Sequence, residues 1–304
     1  MQRCATRITS RAGHAVRSLP VTLVVLAVVL LVLVIAPLSG AARVFARAPG
    51  TPGRSSSELA ALLGSSRQTI AAQQAAVVAV SAQPAPPNAF DAARQSMQQA
   101  ALVERYRATI RDEQVAIYQL AGSSALRAQV EARLGSRTPP GLDDAIAGLH
   151  ALWMLLGVRD PSRVTPEASH DVNGAEPAGT LLAYDQEAAA RNGIGWGYLA
   201  AINYIESDDG RNNGPSPAGA EGPMQFLPST WSQYGGGGNI QDPHDAIFAA
   251  AGYLRLMGAP GDYGLAVGRY DNDANYVQAV THFAAAMGAD PLWFYRLYYW
   301  NTYG

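Results

Sequence analysis

Glu206 stands near the end of the stretch WGYLAAINYIESDDG, Trp196 to Gly210, and is the first residue to weigh as chemistry. Leu199, Ile202 and Glu206 recur at spacings of three and four. A helix would therefore set the carboxyl on a stripe with apolar side chains. Ser207-Asp208-Asp209-Gly210 reads as the end of that helix, with Gly210 as its left-handed cap. Desolvation and the negative end of the helix dipole both raise the pKa of a carboxyl placed there. A carboxyl kept protonated near neutral pH is what general-acid catalysis requires. A solvated glutamate at a helix end is the plainer reading, and these residues alone leave it open.

Two further segments carry unusual residue types. In AEGPMQFLPSTW, Ala220 to Trp231, Met224, Gln225, Phe226 and Leu227 lie between Pro223 and Pro228. The prolines rule out a long regular helix. The residues between them are too apolar for a simple turn, so the segment either packs a loop onto the core or lines a cleft and presents the Gln225 amide. Further on, RYDNDANYVQAV places Tyr270 and Asp271 at another loop.

Taken in order, these segments resemble the soluble lytic transglycosylase family, whose domain is related to goose-type lysozyme. The family pattern is Glu-Ser at a helix end, then Ser-Pro-x-Gly-Ala-x-Gly-x-Met-Gln-x-x-Pro, then Tyr-Asn. Glu206-Ser207 matches the first element, and Ser216 to Pro228 matches the second throughout. The third is matched in part, because Asp271 follows Tyr270 where the family has asparagine. The resemblance covers about 180–290.

It implies a mainly α, lysozyme-like domain acting on peptidoglycan, with Glu206 as the catalytic residue. Ser216, Met224, Gln225, Leu227, Tyr270 and Asp271 are then expected at the substrate. Gln225 would reach an acetamido group, and Tyr270 would hydrogen-bond Glu206. Glu206 would protonate the bond between N-acetylmuramic acid and N-acetylglucosamine, then take the proton of the muramoyl C6 hydroxyl as a 1,6-anhydro ring closes. No metal or organic cofactor is implied. A lysozyme-like hydrolase would need a second carboxylate to position water, for which Asp208, Asp209, Glu221 and Asp271 are available. A non-catalytic wall-binding scaffold is the reading from a different class.

The elements that would position these residues show in the periodicity. Helical patterns at 180–191, 196–206, 229–234, 243–257, 263–269 and 273–287 alternate with glycine-rich loops and show no strand alternation, so 178–304 reads as one helical catalytic domain. Aromatic residues crowd PLWFYRLYYWNTYG at the C-terminus, where a core-packed helix is favoured over a sugar-stacking platform. Ahead of the domain, 58–134 reads as a helical stalk or hairpin. Val103, Tyr106, Ile110, Ile117 and Leu120 lie along one side, with Leu126, Val130 and Leu134 continuing at intervals of four. A protein partner could bind there. Residues 135–177 read as a linker with one helix, about 143–158.

The 304-residue chain has 22 basic residues, all arginine, and a net charge of −2, which gives no case for nucleic acid. Its one cysteine, Cys4, excludes an internal disulfide, and the five histidines show no ligand spacing. Arg3, Arg7, Arg11 and Arg17 mark 1–18 as a basic cytoplasmic tail. The apolar run Leu19 to Ala36 is expected to form a signal anchor over 19–38, because its length is near the minimum of about 17 residues for a membrane helix. A linker follows at 39–57. The catalytic domain would then be extracytoplasmic on a single-pass membrane protein, with a cleaved secretory signal as the alternative.

Overall fold

Capping and periodicity account for the helices of the computed structural model, which describes residues 53–158 and 175–300. The basic tail, the apolar run, the start of the 39–57 linker, residues 159–174 and the last four residues lie outside the described residues. Helix α1 (Ser56–Ser81) opens on a capping box, in which the Ser55 hydroxyl accepts from Glu58 N and the Glu58 carboxylate accepts from Ser55 N. Helix α2 (Ala89–Ala121) starts at Asn88, whose side chain caps Asp91 N. Gly122 ends α2, and Ser123 caps the next helix through Leu126 N, so the later part of the 58–134 region is two helices: α2 and α3 (Ser124–Leu134). Then come α4 (Leu142–Leu155), α5 (Ala178–Asn192), α6 (Trp196–Ser207), α7 (Pro228–Tyr234), α8 (Pro243–Leu256), α9 (Tyr263–Tyr270), α10 (Ala274–Ala289) and α11 (Leu292–Tyr299). There is no strand among the described residues, only an isolated bridge between Glu221 and Phe226.

Helix α10 is the axis of the core. It packs on α6 on one side and α4 on the other. Phe283 of α10 meets the Tyr204 ring edge-on at 5.6 Å and lies flat against Gly148 of α4. A β-carbon at Gly148 would sit 2.8 Å from the Phe283 ring, so the close approach requires glycine. Trp293 Nε1 donates to Pro140 O at 2.7 Å and fixes the start of α4 against α11. The one helix expected within 135–177 is α4, and Ile146, Leu149, Leu152 and Trp153 bury it in the same core as α6 and α10.

Of the stalk or hairpin expected over 58–134, α1 and α2 form a hairpin. Its inner half is buried against the C-terminal helices, where Glu113 of α2 accepts from Arg296 of α11 at 2.6 and 3.2 Å, both side chains being at most 1% exposed. Ser66 of α1 donates to the same carboxylate at 2.5 Å. Asp290, 1% exposed, lies between Arg296 at 3.6 Å and Arg67 at 2.9 Å. This chain of charges joins α1, α2 and α11. The aromatic C-terminus packs inward, with Trp293, Phe294, Leu297, Tyr298 and Trp300 all buried. Among the described residues no helix is long and apolar enough to cross a membrane.

Breaking one side of a buried ion pair leaves the other charge uncompensated, at a cost of about 3–5 kcal/mol. Glu113→Ala should lower unfolding free energy in urea by that amount. Replacing both partners, Glu113→Gln with Arg296→Met, should cost clearly less. A loss below about 1 kcal/mol for Glu113→Ala, the size of an exposed pair, would show that the hairpin is not locked to the catalytic helices.

Candidate active site

The carboxyl of Glu206 lies in the last turn of α6, where the chain leaves the helix by an uncommon route. Asp208, Asp209 and Gly210 all have positive φ, at 54°, 57° and 86°. The cap is thus Asp208 rather than Gly210. Asp208 N donates to Tyr204 O and Asp209 N to Asn203 O, which satisfies the last carbonyls of α6. Non-glycine residues in this region are strained, and aspartate tolerates it better than most. Arg211, 5% exposed, holds the turn from within, at 3.6 Å from Asp208 and 3.5 Å from Asp209.

Ser207, next to Glu206, joins this turn to the Met-Gln segment. Its hydroxyl donates to Pro223 O at 2.6 Å and accepts from Gly210 N at 2.8 Å. The neighbouring carbonyl, Met224 O, accepts from the Tyr270 hydroxyl at 2.6 Å. Residues 222–225 form a tight loop closed by the paired bonds Glu221 N to Phe226 O and Phe226 N to Glu221 O. Gly222 at its start has φ 75°, and a β-carbon there would lie 2.0 Å from Ile240 O, so no other residue fits. Phe226 anchors the loop, buried among the rings of Trp231, Tyr253 and Tyr270 at 5.5 to 6.3 Å. Pro228 then starts α7 at the position where its missing N–H costs nothing.

The expected site residues divide by position. Glu206 is partly accessible, Gln225 half-buried, and Leu227 42% exposed on the loop's outer face. Ser216 is half-buried and accepts from Ala220 N at 3.0 Å, which shapes the turn ahead of the loop. Met224 is fully buried, so its side chain fills the core rather than the cleft. Gln225 has φ 46°, and its Nε2 donates to Gly222 O within its own loop at 2.9 Å and to Gly214 O ahead of the loop at 3.2 Å. Only its carbonyl oxygen is left to receive a ligand. Asp271 is exposed and accepts from Asp273 N, beyond the end of α9.

The phenol bound to Glu206 is Tyr276, which donates to Oε1 at 2.6 Å. Tyr270, expected in that role, is committed to the Met224 carbonyl. Asp273 caps α10 and so turns Tyr276, in the first turn, towards the carboxyl. A tyrosine six residues after Tyr270, just inside a capped helix, was the available signal. Burial pushes the Glu206 carboxyl up to about 7, the Tyr276 bond pulls it down, and the charge of Asp271 pushes it up. Burial also lifts both Tyr276 and Tyr270 well above the ordinary phenol range, and the Glu206 charge adds to this. Behind the turn, burial lifts Asp209 to about 7 against the pull of Arg211. Asp185 of α5 is fully buried, and burial with the charge of Asp209 holds it well above the carboxylate range.

The arrangement provides one carboxyl, protonated or ionised near neutrality, held by a phenol beside a rigid loop. Among the described residues, Asp242, His244 and Asp245 bring one donor each within 4.8 Å of one another. These acids cap helix α8 and hold Asn239 N, well away in sequence from the Glu206 loop.

Two pH effects follow. Were Glu206 to act as a general acid, a value of about 7 would make kcat/KM fall about tenfold per unit at higher pH. The Tyr276 bond favours the carboxylate, so Tyr276→Phe should move that limb to higher pH while lowering the rate; a limb that stays or moves down contradicts the bond's role. Asp209 titrates above its ordinary value, so the stability it links is complete below the unfolded-state pKa of about 4 and is lost as pH rises. The loss runs from about 4 upwards and is complete by its folded value of about 7. Asp209→Asn should therefore flatten the fall of the unfolding midpoint across that range, and an unchanged slope would contradict the shift.

Residues 183–282, about a third of the chain, match the family model described as transglycosylase SLT domain. No curated protein and no solved structure matches the chain. At the level of that family the activity is cleavage of glycosidic bonds in peptidoglycan. The segment that carries Glu206, the Met-Gln loop and Tyr276 is the part of the chain that matches the transglycosylase SLT domain model, which supports the resemblance to the soluble lytic transglycosylase family.

Proposed function

We propose that the protein is a peptidoglycan lytic transglycosylase in which Glu206 serves first as general acid and then as base. The observation that carries this reading is the single partly accessible carboxyl lifted to about 7, hydrogen-bonded by Tyr276 and next to the 222–225 loop. As acid, Glu206 protonates the glycosidic oxygen between N-acetylmuramic acid and N-acetylglucosamine. As carboxylate, it then takes the proton of the muramoyl C6 hydroxyl, whose oxygen bonds to C1 and closes a 1,6-anhydro ring. Tyr276 holds the carboxyl in one orientation through both steps and offers its hydrogen bond to the charged form. The Gln225 carbonyl oxygen and the exposed Leu227 face are the loop's contributions to the sugar, one accepting from an acetamido N–H and one covering an apolar ring face. Ser216 keeps a hydroxyl hydrogen to donate.

Attack by a tethered hydroxyl has an effective-molarity advantage of about 10⁵ M or more over water when well oriented. Digests of purified peptidoglycan should therefore end in 1,6-anhydro-muramic acid, one water lighter than the hydrolytic product, and take no label from ¹⁸O-labelled water. Glu206→Gln should lower the rate by at least about 10²–10⁴-fold without loss of fold. Asp271→Asn should retain substantial activity. Labelled reducing ends, lost on Asp271→Asn, would instead make Asp271 the base of a hydrolase. A folded Glu206→Gln variant with wild-type turnover would leave the domain as a wall-binding module.

We also propose that the apolar run at 19–38 is a retained anchor with the catalytic domain outside the membrane, which fits a wall substrate. Burial of such a run is insensitive to ionic strength. The full-length protein should stay with membranes through a high-salt wash. Recovery only as a soluble form starting near Gly40 or Arg47 would show that the run is a cleaved signal.

A further inference from the structure

The polar groups that the site leaves free for a ligand are mostly acceptors. Tyr276 and Tyr270 commit their hydroxyl hydrogens to Glu206 and to Met224 O. The Gln225 amide donates to two backbone carbonyls, which leaves its carbonyl oxygen. Glu206 itself is bonded through Oε1. Of the expected site residues, Ser216 keeps a hydrogen to give.

Asp271 adds a full negative charge to this surface. It directly follows Tyr270, which is bonded to the Met-Gln loop, and the same short turn leads to Tyr276, which is bonded to Glu206. Asp273 N donates to Asp271 Oδ1 at 2.9 Å, which pins the carboxylate at the surface. The charge is felt at both Glu206 and Tyr276. Asp271 is exposed and has no ion-pair partner among the described residues. Arg269, the nearest arginine in sequence, lies instead along a groove on the outer face of α9 with Leu265, Gly268 and Val277. The turn does not need the charge, since asparagine, the residue of the family pattern, offers Asp273 N the same carbonyl oxygen. An anion here also has a cost, because it repels the carboxylate form of Glu206.

We propose that Asp271 is a specificity residue, which pairs with a protonated primary amine of the wall polymer. This rests on the reading of Glu206 as the acid that cleaves wall glycan. An ammonium group has donors and no acceptor, which suits a surface of acceptors with one unpaired anion. Two groups of that chemistry occur in peptidoglycan. A glucosamine that has lost its acetyl group carries one at C2, and a diamino acid of the stem peptide carries the other. On the glycan the amine belongs on the glucosamine and not on the muramoyl ring. An ammonium next to the muramoyl C1 opposes the positive charge that develops there as the bond breaks, whereas on the leaving sugar it stands clear of that centre.

Parallel digests of two peptidoglycan preparations by the full-length chain test this at about pH 6, where amines are protonated and aspartate is ionised. One preparation is treated with an N-deacetylase to free glucosamine amines. The other is fully N-acetylated with acetic anhydride, which blocks sugar and peptide amines alike. The kcat/KM for the free-amine form should exceed that for the blocked form by about two- to fivefold, the range of an exposed ion pair. High salt should shrink the ratio. Asp271→Asn should bring it to about one, whereas Asp143→Asn, which removes the same charge from an exposed position on α4, should leave it unchanged. Glycan strands stripped of peptide by an amidase separate the two sources: a ratio that persists assigns the amine to the sugar, and one that disappears assigns it to the stem peptide. A wild-type ratio of one or less, or a ratio kept by Asp271→Asn, would overturn the proposal. Cleavage of neither preparation would be a different result, the failure of the reading of Glu206 on which the proposal rests.

Discussion

The hydroxyl of Ser207 is the bond on which the site depends. It belongs to the residue after the glutamate, it closes the left-handed exit of α6 by accepting from Gly210 N, and it holds the Pro223 carbonyl at 2.6 Å. One atom thereby fixes both the end of α6 and the start of the Met-Gln loop. Tyr270 does the same for the next carbonyl from the far side. The loop's buried Met224 and Phe226 then act as ballast, and Gln225 and Leu227 remain at the surface because their neighbours do not. A site on a loop needs this kind of support, since the geometry of a bound sugar must be held to within a fraction of an ångström.

A second consequence concerns charge. The exit turn gathers Asp208 and Asp209 around Arg211, with Asp185 near enough to feel the charge of Asp209, and the three acids have almost no solvent contact. Ionised together these acids exceed the single arginine, so burial keeps Asp185 and Asp209 towards their neutral forms. The strain of two left-handed aspartates and the cost of the buried acids sit directly behind Glu206. Such costs gather at functional sites and are met by packing elsewhere. Here the surrounding helices, α10 above all, supply it.

Local pattern made much of this legible in the sequence. The stripe of Leu199, Ile202 and Glu206 marks α6, and the catalytic helices fall close to the periodic segments because apolar spacing and caps act over one or two turns. What sequence reading missed depends on contacts between distant residues. Glu113 and Arg296 have no local signal for each other, so 58–134 reads as a stalk or hairpin while the structure locks the inner half of α1 and α2 to α11. Gly148 looks like any helical glycine until Phe283 is laid on it. Gly210 was the natural choice of cap, but Asp208 already turns left-handed because Arg211 and Ser207 over-determine the turn. Family pattern pointed to Tyr270 as the partner of Glu206, whereas the start of α10 at Asp273 decides that Tyr276 reaches it.

The account stands on one carboxyl that can be acid and base at the same pH. The most direct measurement is the ¹³C chemical shift of the Glu206 side-chain carboxyl through a pH titration, assigned by its loss in Glu206→Gln. Titration centred at about 7 is the result expected. A midpoint near the ordinary glutamate value of about 4.3 would leave Glu206 a solvated helix-end carboxylate and contradict its role as the acid.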